Sequence, residues 1–391
     1  MRRVVFVMAL WILSVFAGCG LKKESVYEEK IQSMQSAPAG TAVSRELTAG
    51  RTGLSEIGST GYAYSTLKDQ HKQLYLEIYQ AMKTPGQTAV LSSFDRDVIR
   101  KVFTCVNADH PELFYVDGYR VRNYRSGGKV VRTELEPTVT MDAERIAVQN
   151  RLIEQAAAQW MADMPVGADD YGKLRFLYEK VVFLTEYGTD APEGQNIQSV
   201  FLNGISVCQG YAKALQYLCL RSGIESVLVT GTANGERHAW LLAKLDGSWY
   251  HVDPTFGDPV YQSGQEQSLL PEASPGINYD YFCVTDAQIA LTHQAADTIV
   301  WPVCKDVKNQ YYRREGLLLE SADPEQIRQI LNRARQQGRE SVTFQCADDR
   351  IYQEVYNVLI MQRRIFELIP GNRISYTEEP VQRTMTFWLA D

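Results

Sequence analysis

Apolar positions recur every three to four residues in some stretches of the chain and every second residue in others, and the two periods come in blocks. Residues 65–82, STLKDQHKQLYLEIYQAM, carry the helical period and stop at Pro85-Gly86. A second helix is expected from a capping Ser93 to Asn107, a long one from Asp142 to Met164, and another from Asp169 to Tyr187. Between them, YRVRNYRSGGKVVRTELEP (119–137) alternates on both sides of Ser126-Gly127-Gly128, which is the pattern of a hairpin. The central block changes character. Cys208–Ser222 has the helical period and ends at Gly223, and three strand-like runs follow at Glu225–Thr232, His238–Leu245 and Ser248–Asp253. Asp246-Gly247 joins the last two, and both central residues of a type I′ turn need positive φ, so a two-residue hairpin is expected there.

After about Val300 a third pattern begins. It reads as a strand at Leu317–Glu320, a helix from Pro324 to Gln337 begun by Ser321 or Asp323, and a strand at Ser341–Cys346. A helix from Ala347 to Arg363 and two last strands around Thr377–Pro380 complete it. That β-α-β-α-β-β order predicts a small α/β domain, which clusters no acids, histidines or nucleophiles and so suits a scaffold or partner-binding part. The expected organisation is α+β. Residues 61–165 form a mostly helical region with a hairpin, residues 166–300 the core and residues 301–391 the small α/β domain.

Residues 1–60 have neither period. MRRVVFVMALWILSVFAGCG holds Arg2 and Arg3, an apolar run from Val4 to Phe16, and small residues before Cys19. The run is too short to span a bilayer comfortably and reads as a secretory signal covering 1–18. Phe16-Ala17-Gly18-Cys19 resembles the bacterial lipobox, with Phe16 where leucine is more usual. The resemblance implies lipidation of Cys19, and two or more acyl chains make a stable anchor. Residues 19–60, rich in Ser, Thr, Gly and Ala, would then be a flexible tether. The expected location is outside the cell, anchored to the outer face of a bacterial membrane.

Composition narrows the function. With 45% hydrophobic and 22% charged residues the chain is ordinary and globular. Its net charge of −7, or −9 without residues 1–18, argues against nucleic-acid binding. Of the seven cysteines, Cys105, Cys219, Cys283, Cys304 and Cys346 are scattered without CxxC spacing and read as packing residues.

Cys208 is different, because it stands at the start of its helix with Gly204 before it and Gly210 after it. A helix N-terminus favours a thiolate, and glycines allow close backbone approach. Cys219 lies eleven residues on, ~16 Å further along the axis and away from that field. A nucleophilic cysteine needs a base. With Asp246-Gly247 as a two-residue loop Leu245 faces Ser248, Trp240 faces Asp253, and His238 lies diagonally across from Asp253 on the same face. The roles that follow are nucleophile Cys208, general base and acid His238, and orienting carboxylate Asp253. His251 shares that face, so zinc on His238, His251 and Asp253 is the competing chemistry, although it leaves the glycine setting of Cys208 without purpose. His71, in an amphipathic helix, and His110, before Pro111, read as structural.

GISVCQGYAKAL and GERHAWLLAKLDGSWYHVDPTF together resemble the transglutaminase-like core of bacterial proteins, over roughly Tyr171 to Pro259. Cys208, His238 and Asp253 fall on its three catalytic positions, and Trp240, Trp249, Pro254 and Thr255 fit the same pattern. Ser206 stands where glycine or alanine is common and Phe256 where tryptophan is usual. DHPELFYVDGY (109–119) resembles a segment found beside such cores in exported Gram-positive proteins. The resemblance implies a papain-like fold and thiol acyl transfer through a thioester, with no cofactor. The acyl donor would be a protein or cell-wall peptide, and the acceptor an amine or, in a peptidase or amidase, water. A non-catalytic surface binding module is the remaining alternative. The Cys208 backbone N–H, Gln195 and Gln198 are candidate oxyanion donors.

Overall fold

Residues 58, 60–258, 276–369 and 374–389 are described by the structure, a computed structural model. The expected signal segment, Cys19 and all of the tether but residues 58 and 60 lie outside the described residues. A one-turn helix at Tyr62–Ser65 leads into α1, Asp69–Lys83, and then β1, Ala89–Val90. Next comes α2, Arg96–Asp109, which starts later than expected because Asp95 rather than Ser93 caps it, accepting from the N–H groups of Asp97 and Val98. The hairpin is β2, Val116–Ser126, and β3, Lys129–Val139, with Ser126 opposite Lys129 across Gly127-Gly128 and β1 added on the free side of β3. Helices α3, Ala143–Met161, and α4, Asp170–Leu184, are capped by Asp142 and Asp169.

The strands β4, Glu186–Tyr187, and β5, Ile205–Ser206, form a short parallel pair that delivers the chain into α5, Cys208–Arg221. A five-stranded antiparallel sheet follows: β6, Ser226–Ala233; β7, Glu236–Leu245; β8, Ser248–Val252; β9, Phe282–Val284; and β10, His293–Ala295. Its order is β10-β6-β7-β8-β9. Leu245 pairs with Ser248 and Leu241 with Val252, so the ladder keeps the register implied by the turn. Asp246 and Gly247 have φ of 52° and 85°, the left-handed values that turn requires.

The last elements are β11, Leu318–Leu319; α6, Pro324–Gln336; β12, Ser341–Cys346; α7, Asp349–Tyr356; β13, Tyr376–Glu379; and β14, Thr384–Trp388. The sheet order is β11-β12-β14-β13, with β11 and β12 parallel. Two boundaries differ from expectation. The α-helix at Asp349 gives way to a wider turn at Asn357–Met361, and the last two strands flank Pro380–Arg383 rather than Thr377–Pro380. Arg383, at positive φ, turns the chain into β14, and Arg363, also at positive φ, follows the wider turn and begins the next helical segment. The C-terminal sheet is tied to the central one through Asp280, whose carboxylate accepts from Tyr312 OH at 2.6 Å and Thr384 Oγ1 at 3.1 Å.

The core packs α5 against β6 and β7. Tyr211, Leu215, Leu218, Leu241, Ala243 and Tyr250 are fully shielded. Burial of each large apolar side chain contributes about 1.5–3 kcal/mol. Cys105, Cys219, Cys283, Cys304 and Cys346 are buried and unbridged, as packing residues should be.

Candidate active site

Two close backbone approaches fix the start of α5. An added Cβ at Gly210 would lie 2.7 Å from Gly194 O and closer still to Ser206 Oγ, so only glycine lets the helix start against the 194–196 loop. Ser206 itself is buried and anchors that approach, donating to Gly194 O at 2.9 Å and lying 2.6 Å from Ser199 Oγ. Cys208 is therefore held half-buried on the first helical turn, whose leading N–H groups have no intrahelical acceptor. Gln209 braces it further, Nε2 donating to Gln195 O at 3.0 Å.

His238 and Asp253 meet as the hairpin register requires. His238 Nε2 lies 2.7 Å from Asp253 Oδ2, which leaves Nδ1 unengaged by the carboxylate, and the Cys208 thiol is near enough to influence the ring. The ring stacks on Trp240, centroids 6.2 Å apart, and meets Phe256 edge-on at 5.2 Å. Asp253 has no exposed surface. Its Oδ1 accepts from the N–H groups of Thr255 (2.9 Å) and Phe256 (3.2 Å), which closes the turn after β8.

A fourth residue joins them that sequence reasoning passed over. His293 Nε2, on β10, lies 3.0 Å from the same Asp253 Oδ2. Its Nδ1 is 2.7 Å from Thr292 Oγ1, and Tyr281 OH lies 3.4 Å from that hydroxyl and accepts from Gln382 Nε2 at 3.0 Å. Thr292 Oγ1 donates to Tyr281 OH, so its single hydroxyl proton is used there. The contacts thus link Gln382, in the turn between β13 and β14, through Tyr281, Thr292 and His293 to Asp253. No local signal marks His293, because β10 is three residues long and pairs with β6 across some sixty residues of chain.

The electrostatics follow from these contacts. Burial alone would lower the His238 pKa, but the Asp253 carboxylate and the Cys208 hydrogen bond outweigh it and push it up to about 10. Burial would raise Asp253, yet the His238 charge and the hydrogen bonds from both histidines hold it well below the usual carboxylate range.

The zinc alternative on His238, His251 and Asp253 is not assembled. The ligand atoms that do converge are His238, Asp253 and His293 in one group and His251, Asp286 and Cys304 in another. In the second group the Trp240 indole N–H donates to His251 Nδ1 at 3.0 Å. Nδ1 must then be unprotonated, and Nε2 carries the proton it directs at Asp286 Oδ1, 3.0 Å away. A ring in that state offers no nitrogen lone pair to a metal. In the first group each carboxylate oxygen of Asp253 already serves two donors.

Gln195 is exposed and Gln198 is buried, and among the described residues neither hydrogen-bonds Cys208 or His238. Gln198 is tied locally, its N–H donating to Asn196 Oδ1 at 2.9 Å. His110 is buried, stacked on Tyr79 and paired with Glu112 at 2.7 Å, a structural setting.

The model of the transglutaminase-like superfamily matches residues 160–254, a span that opens on α3 and closes just after Asp253. Residues 160–254 are a transglutaminase-like core domain. No curated protein matches the chain in sequence. Similar solved structures include a TGase, with 14% identity over 41% of this chain and 48% of that one and a TM-score of 0.27. A protein of Cytophaga hutchinsonii proposed to be a cysteine protease has 15% identity over 36% and 63%, at a TM-score of 0.25. The periplasmic domain of TgpA from Pseudomonas aeruginosa has 14% identity over 38% and 65%, at 0.23. The chain thus spans about half to two thirds of the length of these relatives. The transglutaminase-like core lies within a mixed α and β fold of papain-like type. Among the described residues no helix is long and apolar enough to cross a membrane.

Proposed function

We propose that this chain is a thiol acyl-transfer enzyme acting on carboxamide or peptide bonds of protein or cell-wall peptide. The observation that carries the reading is the buried His238–Asp253 pair, 2.7 Å apart, with Cys208 beside the ring at a helix start. In the first half-reaction the sulfur of Cys208, its proton held by His238, attacks the carboxamide carbon. The resulting oxyanion lies at the start of α5, where the Cys208 N–H is the best-placed donor and Gln195 and Gln198 are the side-chain candidates. The C–N bond breaks, His238 returns the proton to the departing ammonia or amine, and a thioester remains. In the second half-reaction His238 takes a proton from an amine or water, the acceptor attacks the thioester, and the thiol is restored. The raised pKa of His238 supports its acid role, because near neutral pH the ring already carries the proton that the departing ammonia or amine takes.

The residues of 1–19 support export and lipid anchoring through Cys19, which would place the site at the outer face of a bacterial membrane. Hydrolysis by the same thioester is the second reading, since nothing in the site sorts amine from water. The test is a glutamine peptide incubated with and without a primary amine, with products identified by mass. Amide exchange means a transferase, and a glutamate product alone means an amidase. No product with either acceptor, together with iodoacetamide labelling of Cys208 no faster than that of an ordinary thiol, leaves a binding module.

A further inference from the structure

A cavity of about 590 Å3 opens beside the start of α5. Its volume falls within the ~300–1,000 Å3 of small-ligand sites. None of Cys208, His238 and Asp253 lines it, but two of its wall residues are next to the site along the chain. Gln209, on its wall, follows Cys208 in sequence, and Thr230, also on its wall, precedes Gly231, the strand partner of His238. Phe114, Val116, Leu228 and Ile299 supply apolar surface. Within it stands Lys213, only 6% exposed, about 7.5 Å along the helix axis from Cys208.

Lys213 is out of place for a structural residue. Among the described residues its ammonium makes no hydrogen bond and no ion pair, whereas lysines are almost never buried unless paired. Glu112 influences it from beyond ion-pair distance; its Oε1 meets His110, while its buried Oε2 has no hydrogen-bond partner among the described residues. The other acids of the cavity, exposed Asp117 and half-buried Glu193, do not pair with it either. A buried, unpaired cation is costly, and a ligand anion removes that cost when it binds.

We propose that this cavity is a substrate subsite for a peptide carboxylate, with Lys213 as its counter-charge, so that the enzyme prefers acyl donors carrying an acidic group beside the reactive carboxamide. The inference rests on the acyl-transfer reading of Cys208 for its orientation along the substrate. Burial lowers the Lys213 pKa to about 8, with Glu112 opposing, so the amine keeps its charge near neutral pH.

Binding separates this proposal from the catalytic one. Cys208→Ala protein is titrated by calorimetry with N-acetyl-Glu-Gln-Glu-amide and with its near-isosteric neutral partner N-acetyl-Gln-Gln-Gln-amide, and again in the Cys208→Ala/Lys213→Met background. The acidic peptide is expected to bind at least tenfold tighter, and Lys213→Met to erase that preference. Equal binding, no binding, or a preference that survives Lys213→Met overturns the subsite. Lys213→Gln repeats the comparison if the methionine variant does not fold. Failure of turnover with intact, Lys213-dependent acid preference would refute the enzyme and leave the subsite standing.

Discussion

Two groups of cysteine, histidine and aspartate lie around the same central sheet, and only one has a histidine nitrogen left open. In the Cys208, His238 and Asp253 group, Asp253 takes Nε2 of His238 and leaves Nδ1 unengaged beside the thiol. The polar atoms of Cys304, His251 and Asp286 lie within 4.8 Å of one another, but Trp240 occupies His251 Nδ1 and Asp286 takes Nε2, so the ring has no nitrogen left for a thiol proton. Burial and Asp286 push the Cys304 thiol up. Residue types within reach do not make a site. The direction of each hydrogen bond and the local field do.

The comparison breaks most simply at the cysteines. Cys208→Ala is expected to lower acyl transfer by roughly 10^4-fold or more, while Cys304→Ala leaves it unchanged; product mass per unit time measures both. Comparable losses in the two variants would end the distinction. Asp253→Asn is expected to cost about as much, up to ~10^4-fold, because the amide cannot accept from both histidines and stabilise an imidazolium.

The pH dependence of stability sharpens the contrast through its sign. Asp253 is held low, so its contribution is present above about pH 4 and lost as pH falls through the folded value. His238 is held high, so its contribution is full below about pH 6.5 and lost as pH rises through about 10. The stability gap between the native chain and Asp253→Asn should therefore be widest between about pH 4 and 6.5 and narrow on both sides, as denaturant unfolding would show. His251 has the opposite sign. Burial lowers it, so below its ordinary value the unfolded chain takes a proton the folded chain refuses, and stability declines. Replacing it by glutamine should flatten that decline; an unchanged slope would mean that His251 is charged in the fold.

His293→Phe is expected to give a smaller effect. One hydrogen bond to a charged group is worth about 1.5–3 kcal/mol, so kcat should fall roughly tenfold to a hundredfold with KM nearly constant. A purely structural residue would instead lower Tm and leave the pH profile of kcat in place. The smallest change is expected from Gly210→Ala, where crowding against Gly194 and Ser206 should cost about 1–3 kcal/mol by thermal unfolding. Unaltered stability there would show that the start of α5 is not set by that contact.

Local order carried a good deal of this in advance. The period of residues 208–222 and Gly223 defined the cysteine helix, and Asp246-Gly247 aligned His238 with Asp253, because a two-residue turn leaves only one register. The pattern Ser341–Cys346 matched its strand, and Asp323 its cap. Capping was less legible at α2, where both Ser93 and Asp95 have the right chemistry and only packing chose the later one. What the chain could not announce are pairings made across long stretches. His293 reaches Asp253 only because a three-residue strand closes on β6, and Gln382 reaches Tyr281 only because the C-terminal sheet docks there. Trp240 disarms His251 by the donor it turns toward it, and Lys213 looks like any polar helix residue until its surroundings are known. Sequence by itself determined the helix, the hairpin and hence the Cys-His-Asp set, since turn geometry and periodicity act over a few residues. Tertiary structure alone decided which histidine is free to move a proton and which lysine is left without a partner, since burial and hydrogen-bond direction depend on what the rest of the chain places nearby.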